Sequence, residues 1–167
     1  MVTLNLAYTA PINPPSASPV LTSPQLWAGL QRKIRHAQEF VPAIVSCTVL
    51  DEQKEDNGSV TVTREVQFKE GYGPKEPVRE VCRSWEPAKV VFHQPDGSTI
   101  SNIISDGPSG QPSDFSMTYT FQWLHPGIEP GSKEEAEALA MRKKTAKMAV
   151  EKSIESIRRM VKEGEIA

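Results

Sequence analysis

The sequence predicts an α+β fold in which a seven-stranded antiparallel sheet wraps around a long C-terminal helix, with one short helix near the amino terminus. Seven runs of alternating character, most of them separated by short Gly, Pro or Asn turns, indicate consecutive hairpins. Ser132 to Glu163 carries apolar residues at helical spacing over about 31 residues, roughly 46 Å at 1.5 Å per residue. A helix that long needs a floor, and a sheet accompanied by only one other, short helix must curve to bury its apolar face against it.

Val2 to Tyr8 alternates as a first strand. Pro11, Pro14, Pro15 and Pro19 then exclude both helix and central strand, so a loop follows. Ser23 before Pro24 marks an N-cap with proline at the first helical position, and Leu26, Leu30, Ile34, Ala37 and Val41 continue at helical spacing until Pro42. This predicts an amphipathic helix over about 24–40. From Ala43 the period switches to two. Ala43–Gln53 and Ser59–Lys69 flank Asp56-Asn57-Gly58, and an Asn-Gly two-residue turn sets Asp56 opposite Ser59 and Asp51 opposite Arg64.

Gly71 to Pro74 turns the chain into Val78–Glu86, and Ala88–Gln94 follows Pro87. Pro95-Asp96-Gly97 leads into Ser98–Asp106. A Gly/Pro/Ser loop over 107–113 precedes the last strand, Asp114–Leu124, which Gly127, Pro130 and Gly131 close. Ser132-Lys133-Glu134-Glu135 opens the final helix as a capping box, acidic at the positive end of the helix dipole. Its apolar stripe, Leu139, Ala146, Val150, Ile154, Ile157 and Val161, is thin, with small residues at Ala146, Ala149 and Ser153. Such a stripe predicts a helix that roofs a cavity. Strand, short helix, six strands and long helix is the order of a helix-grip.

Composition narrows the function classes. The 167 residues suit one domain spanning 1–167, large enough to bury a core without disulfides or metal. A net charge of −2 offers no electrostatic reason to bind nucleic acid or anionic lipid. Arg142, Lys143, Lys144 and Lys147 cluster on the last helix, but interleaved glutamates make that a solvated face. No apolar run approaches the roughly 18 residues of a membrane span and no signal-peptide layout is present, so a cytoplasmic protein is expected. Cys47 and Cys82 fall far apart along the sheet, against a disulfide. His36, His93 and His125 lack metal-ligand spacing. No metal or cofactor is expected, and neither a phosphate loop nor a nucleophile elbow occurs.

The candidate site residues follow from which face each strand turns inward. In the last strand Phe115, Met117, Tyr119, Phe121 and Trp123 alternate with polar residues, a lining suited to a flat, conjugated, hydrophobic ligand. Arg64 stands among Val60, Val62, Val66 and Phe68 on an apolar face, so its guanidinium is expected inside. A Phe68–Glu76 pairing across the next turn sets Glu80 opposite it, between which and Asp51 the arginine would be held. A buried charge trio needs a reason such as a ligand site, where Asp51 or Glu80 serves as general acid or base. Asn102 shares an inner face with Val90, Phe92, Ile100 and Ile104, an amide that needs partners there. His93 points outward.

The element order, Ala37-Gln38-Glu39-Phe40-Val41-Pro42 at the end of the first helix, Tyr119-Thr120-Phe121-Gln122-Trp123 in the last strand and the terminal helix resemble the START-like superfamily. More closely the chain resembles a fungal and bacterial branch that includes a protein of the acetylaranotin biosynthesis cluster. The resemblance spans essentially the whole chain and implies a helix-grip fold among binders, carriers, cyclases and dehydratases. It carries over no site residue. The expected function is therefore cofactor-independent cyclisation, dehydration or isomerisation of a conjugated small molecule. Arg64, Asp51 and Glu80 would supply the chemistry, Tyr119 and Asn102 would orient oxygens, and Phe115, Met117, Phe121 and Trp123 would give shape. A non-catalytic carrier using the same cavity is the alternative, and an interaction domain the third reading. Edge strands allow a monomer or a homodimer.

Overall fold

A computed structural model describes all 167 residues. The chain runs β1 (Val2–Pro11), α1 (Ser23–Arg35), a 3-10 turn (Ala37–Glu39), β2 (Ile44–Lys54), β3 (Val60–Phe68), β4 (Val78–Trp85), β5 (Lys89–His93), β6 (Thr99–Ser105), a second 3-10 turn (Pro112–Asp114), β7 (Ser116–His125) and α2 (Lys133–Lys162). All seven strands form one sheet in the order β1-β7-β6-β5-β4-β3-β2, each pair antiparallel. Consecutive hairpins build β2 to β7, and β1 closes beside β7 as one edge while β2 forms the other. The inward face meets α2 through Ala146, Val150, Ile154, Ile157 and Met160. No helix is long and apolar enough to cross a membrane.

The helix ends differ slightly from those the sequence predicts. Thr22, not Ser23, caps α1: its hydroxyl accepts from the Gln25 amide, and the Gln25 side chain accepts from the Thr22 amide. The helix stops at Arg35 because His36 leaves helical geometry, with φ −135° and ψ 57°, and the chain resumes as the 3-10 turn. At the start of α2 the Ser132 hydroxyl accepts from the Glu135 amide, but the Glu135 carboxylate reaches past Ser132 to the Gly131 amide at 2.6 Å. Gly29 lets α1 lie directly on α2, since a Cβ there would stand 2.5 Å from Ile157 Cγ1.

One register departs from the expected one, with a consequence for the site. The β2–β3 loop has three residues, Asp56-Asn57-Gly58, not two: the Glu55 amide bonds the Ser59 carbonyl and Gly58 adopts a φ of +84°. This is the hairpin built on a left-handed glycine, and the Asn57 side chain stabilises it by accepting from the Ser59 amide and hydroxyl. A further irregularity between Val49 and Asp51 shifts the strands again, leaving Leu50 as the extra residue. Asp51 consequently pairs with Thr63 and is exposed, while Val49 stands opposite Arg64. The β3–β4 register places Arg64 opposite Glu80 as the sequence predicts, and β5–β6 places Val90 opposite Asn102.

Candidate functional site

Two cations and one carboxylate are buried inside the grip: Lys33 from α1, Arg64 from β3 and Glu80 from β4. Arg64 and Glu80 form an ion pair, with Nη2 at 2.7 Å and Nε at 3.0 Å from the same carboxylate oxygen, Oε2. Arg64 Nη1 donates to the carbonyls of Lys33 and Ile34 at 2.9 and 2.7 Å. These belong to the last turn of α1, where a cation suits the negative end of the helix dipole. Glu80 Oε1 accepts from Gln94 Nε2 at 3.3 Å. Arg64 therefore ties α1 to the sheet, and each of its nitrogens already has a partner.

Lys33 projects into the interior from the same turn. Its Nζ lies 3.0 Å from Asn102 Oδ1, 3.1 Å from the Tyr119 hydroxyl and 3.3 Å from Ser153 Oγ, so it joins α1, β6, β7 and α2. It also stands 4.3 Å from the Tyr119 ring centroid and 5.6 Å from that of Phe92, whose ring the Arg64 guanidinium approaches to 5.0 Å. No carboxylate pairs with it. Burial first, and then the Arg64 guanidinium, draw the ammonium down from 10.5 to about 7, with Glu80 opposing. Burial pushes the Tyr119 phenol above its ordinary range, so it stays a proton donor, and holds the Cys82 thiol up at about 12. Cys47 and Cys82 are both free thiols.

The residues singled out in the sequence fall into three groups. Arg64 and Glu80 are brought together, and Asn102 and Tyr119 meet at Lys33. Phe115, Met117, Phe121 and Trp123 are buried on the inner face. The Phe121 and Trp123 rings stack at 4.3 Å, and Arg142 of α2 covers Trp123 at 4.3 Å. Asp51 stands apart from these groups, since the three-residue turn pairs it with Thr63 and leaves it exposed on the edge strand. Under Ala146, Ala149 and Ser153, where the sequence predicts a hollow, Lys33 reaches across from α1 to Ser153. Two open clefts of about 540 and 700 Å³ lie elsewhere. One is at Asn5, Ala7, Thr120 and Gln122, and the other is between the proline-rich segment and α2 at Pro11, Pro14, Ile154 and Arg158.

Lys33 was missed by sequence reasoning although a signal existed. It lies seven residues after Leu26 and three after Leu30, on the apolar stripe of α1, the same kind of polar intrusion that marked Arg64. One more feature bears on chemistry: the Asn102 Nδ2 donor is buried without a partner, on the amide whose oxygen holds Lys33.

Fold and interior together define a helix-grip protein with a buried amine and an ion pair under its long helix. Residues 6–164 match the family described as Acetylaranotin biosynthesis cluster protein L, and the chain belongs to that family. The protein of that name from Aspergillus terreus (strain NIH 2624 / FGSC A1156) is 27% identical over 162 residues, covering 97% of this chain and 92% of the relative. Among solved structures, the di-domain ARO/CYC StfQ from the steffimycin biosynthetic pathway superposes with a TM-score of 0.63 at 10% identity over 98% of this chain. This chain spans about half of StfQ, 52%. The Zhui aromatase/cyclase from Streptomyces sp. R1128 superposes with a TM-score of 0.52 at 16% identity over 96% of each chain. The shared fold is the helix-grip that the element order predicts.

Proposed function

We propose that the chain binds a conjugated, carbonyl-bearing small molecule inside the grip and moves protons on it, as cyclisation, dehydration or isomerisation requires. The observation that carries this reading is the Lys33 amine, buried, drawn to about 7 and hydrogen-bonded to three neutral oxygens. An amine in that range takes up and gives back protons at neutral pH, which a solvated lysine does not. Arg64 and Glu80 set its field, the guanidinium lowering and the carboxylate raising its affinity for protons. Tyr119 and Asn102 orient ligand oxygens, and Phe115, Met117, Phe121 and Trp123 give the walls their shape. The four-carbon lysine stem is the movable plug: rotating it away vacates the space beneath Ser153. A relative named for a biosynthesis cluster and an aromatase/cyclase of the same fold support this reading.

A carrier without catalysis is the second reading, favoured by one observation: Arg64 spends its donors on Glu80 and α1, as a purely structural arginine does. β-Tetralone, a flat aromatic ketone with activated benzylic protons, separates the two. The first reading expects the Met117 and Ile104 methyl signals to shift on titration. It also expects benzylic exchange with deuterated water to run roughly tenfold or more faster with wild type than with Lys33→Met. Methyl shifts without faster exchange select the carrier, and unmoved methyls eliminate both.

A further inference from the structure

We infer that Lys33 acts as a nucleophile that captures the ketone or aldehyde carbonyl of its substrate as an imine. The inference rests on the interior site proposed above and names the bond made there. Geometry carries it. The Nζ atom is surrounded by the groups an imine-forming amine needs: the Tyr119 phenol at 3.1 Å, the Ser153 hydroxyl at 3.3 Å and the Asn102 amide oxygen at 3.0 Å, each accepting from Nζ, with the phenol O–H free to turn toward a carbonyl oxygen. Asn102 Nδ2 is buried and has no acceptor, and a carbonyl oxygen brought to Lys33 would supply one. Asn102, Tyr119 and Ser153 are themselves almost wholly buried, so bulk water is kept from a product that hydrolyses in it. Arg64 fixes the backbone of Lys33 through its carbonyl, leaving the side chain as the moving part. Burial keeps a large share of the amine unprotonated, and so nucleophilic, at neutral pH.

The step balances on this chain's groups. The amine lone pair forms the C–N bond while the carbonyl π bond breaks, and the oxygen takes the Tyr119 proton. The phenolate recovers a proton from the new ammonium, giving a neutral carbinolamine. The nitrogen lone pair then forms the C=N bond as the C–O bond breaks, and the oxygen departs as water with a second proton from Tyr119. The phenolate finally takes the iminium proton, so ketone and amine have become imine and water with Tyr119 restored. While the iminium persists it acidifies the adjacent C–H bonds, which is what cyclisation or isomerisation α to a carbonyl needs.

The experiment incubates the full-length protein with β-tetralone at neutral pH, reduces with sodium borohydride and maps the adduct by peptide mass spectrometry, with interior methyl shifts recorded in parallel. The reduced adduct is expected on Lys33 at roughly tenfold or greater excess over exposed lysines such as Lys144, because only the buried amine is held by carbonyl-orienting groups and largely unprotonated at neutral pH, and is expected to vanish in Lys33→Met. Methyl shifts with no Lys33 adduct would overturn imine formation and leave the interior site standing. An adduct spread evenly over surface lysines would overturn it as well. Absent methyl shifts would remove the site itself. Because the adduct is mapped on wild-type protein, the result does not depend on the variant folding.

Discussion

Arg64 holds Lys33 by its backbone and not by its side chain: Nη1 donates to the Lys33 carbonyl at 2.9 Å, while the Lys33 Nζ turns away to Asn102 and Tyr119. Two cations are thereby kept in one interior with a single carboxylate between them. Arg64 receives Glu80, and Lys33 receives only dipoles.

Removing that carboxylate tests the arrangement. Glu80→Gln leaves the Arg64 charge buried without a counterion and is expected to lower stability by about 3–5 kcal/mol in urea unfolding. It also deletes the influence that raises the Lys33 affinity for protons, so the Lys33 titration in this variant moves below its wild-type midpoint. A midpoint unchanged or raised would dissociate Glu80 from Lys33.

The lysine imposes a pH dependence of definite sign. Its folded value lies below its unfolded one, near 7 against 10.5. Below 7 it is charged in both states and the native state bears the full burial penalty. Between the two values the unfolded chain binds a proton that the native state does not, so stability rises with pH by up to about 1.4 kcal/mol per unit. Lys33→Met lacks this slope. The urea midpoint of wild type should therefore rise relative to that of Lys33→Met from pH 7 to 10, and a constant difference would contradict the burial penalty.

The corrected β2–β3 hairpin makes opposite predictions for two neighbouring parts of the chain. Asp51→Ala, on the exposed edge strand, should change stability by less than about 0.5 kcal/mol and leave ligand binding untouched. Gly58→Ala forces a side chain into the left-handed region at φ +84° and should cost about 1–2 kcal/mol. Loss of binding in Asp51→Ala would restore the two-residue turn.

Helix α1 positions the amine only while it lies on α2. Gly29→Ala places a Cβ 2.5–2.6 Å from Ile157 Cγ1 and Cδ1 and should destabilise by about 1–3 kcal/mol, with partial rescue by Ile157→Val. Thermal unfolding of the single and double variants checks this coupling.

Much of this architecture was legible in the sequence because its signals are local. Alternation set the inward faces of β3, β6 and β7, and helical spacing with Ser132 set α2. The Arg64–Glu80 pairing followed from that alternation plus one turn register. Asp51 failed because Asp56-Asn57-Gly58 accommodates either two or three turn residues, and side-chain bonds from Asn57 to Ser59 settle the longer form. The buried amine was less legible for a different reason. Its place on the apolar stripe of α1 marks Lys33 as inward, but its partners Asn102, Tyr119 and Ser153 lie far away in sequence and are set only by tertiary contacts.

The most direct measurement is a side-chain NMR titration of nitrogen-15-labelled lysines, with the Lys33 signal assigned by its absence in Lys33→Met. A midpoint for Lys33 near 7, well separated from those of the surface lysines, is what a buried amine without a carboxylate partner gives. A midpoint close to the ordinary lysine value of about 10.4 would mean that Lys33 is solvated and that the grip holds no reactive amine.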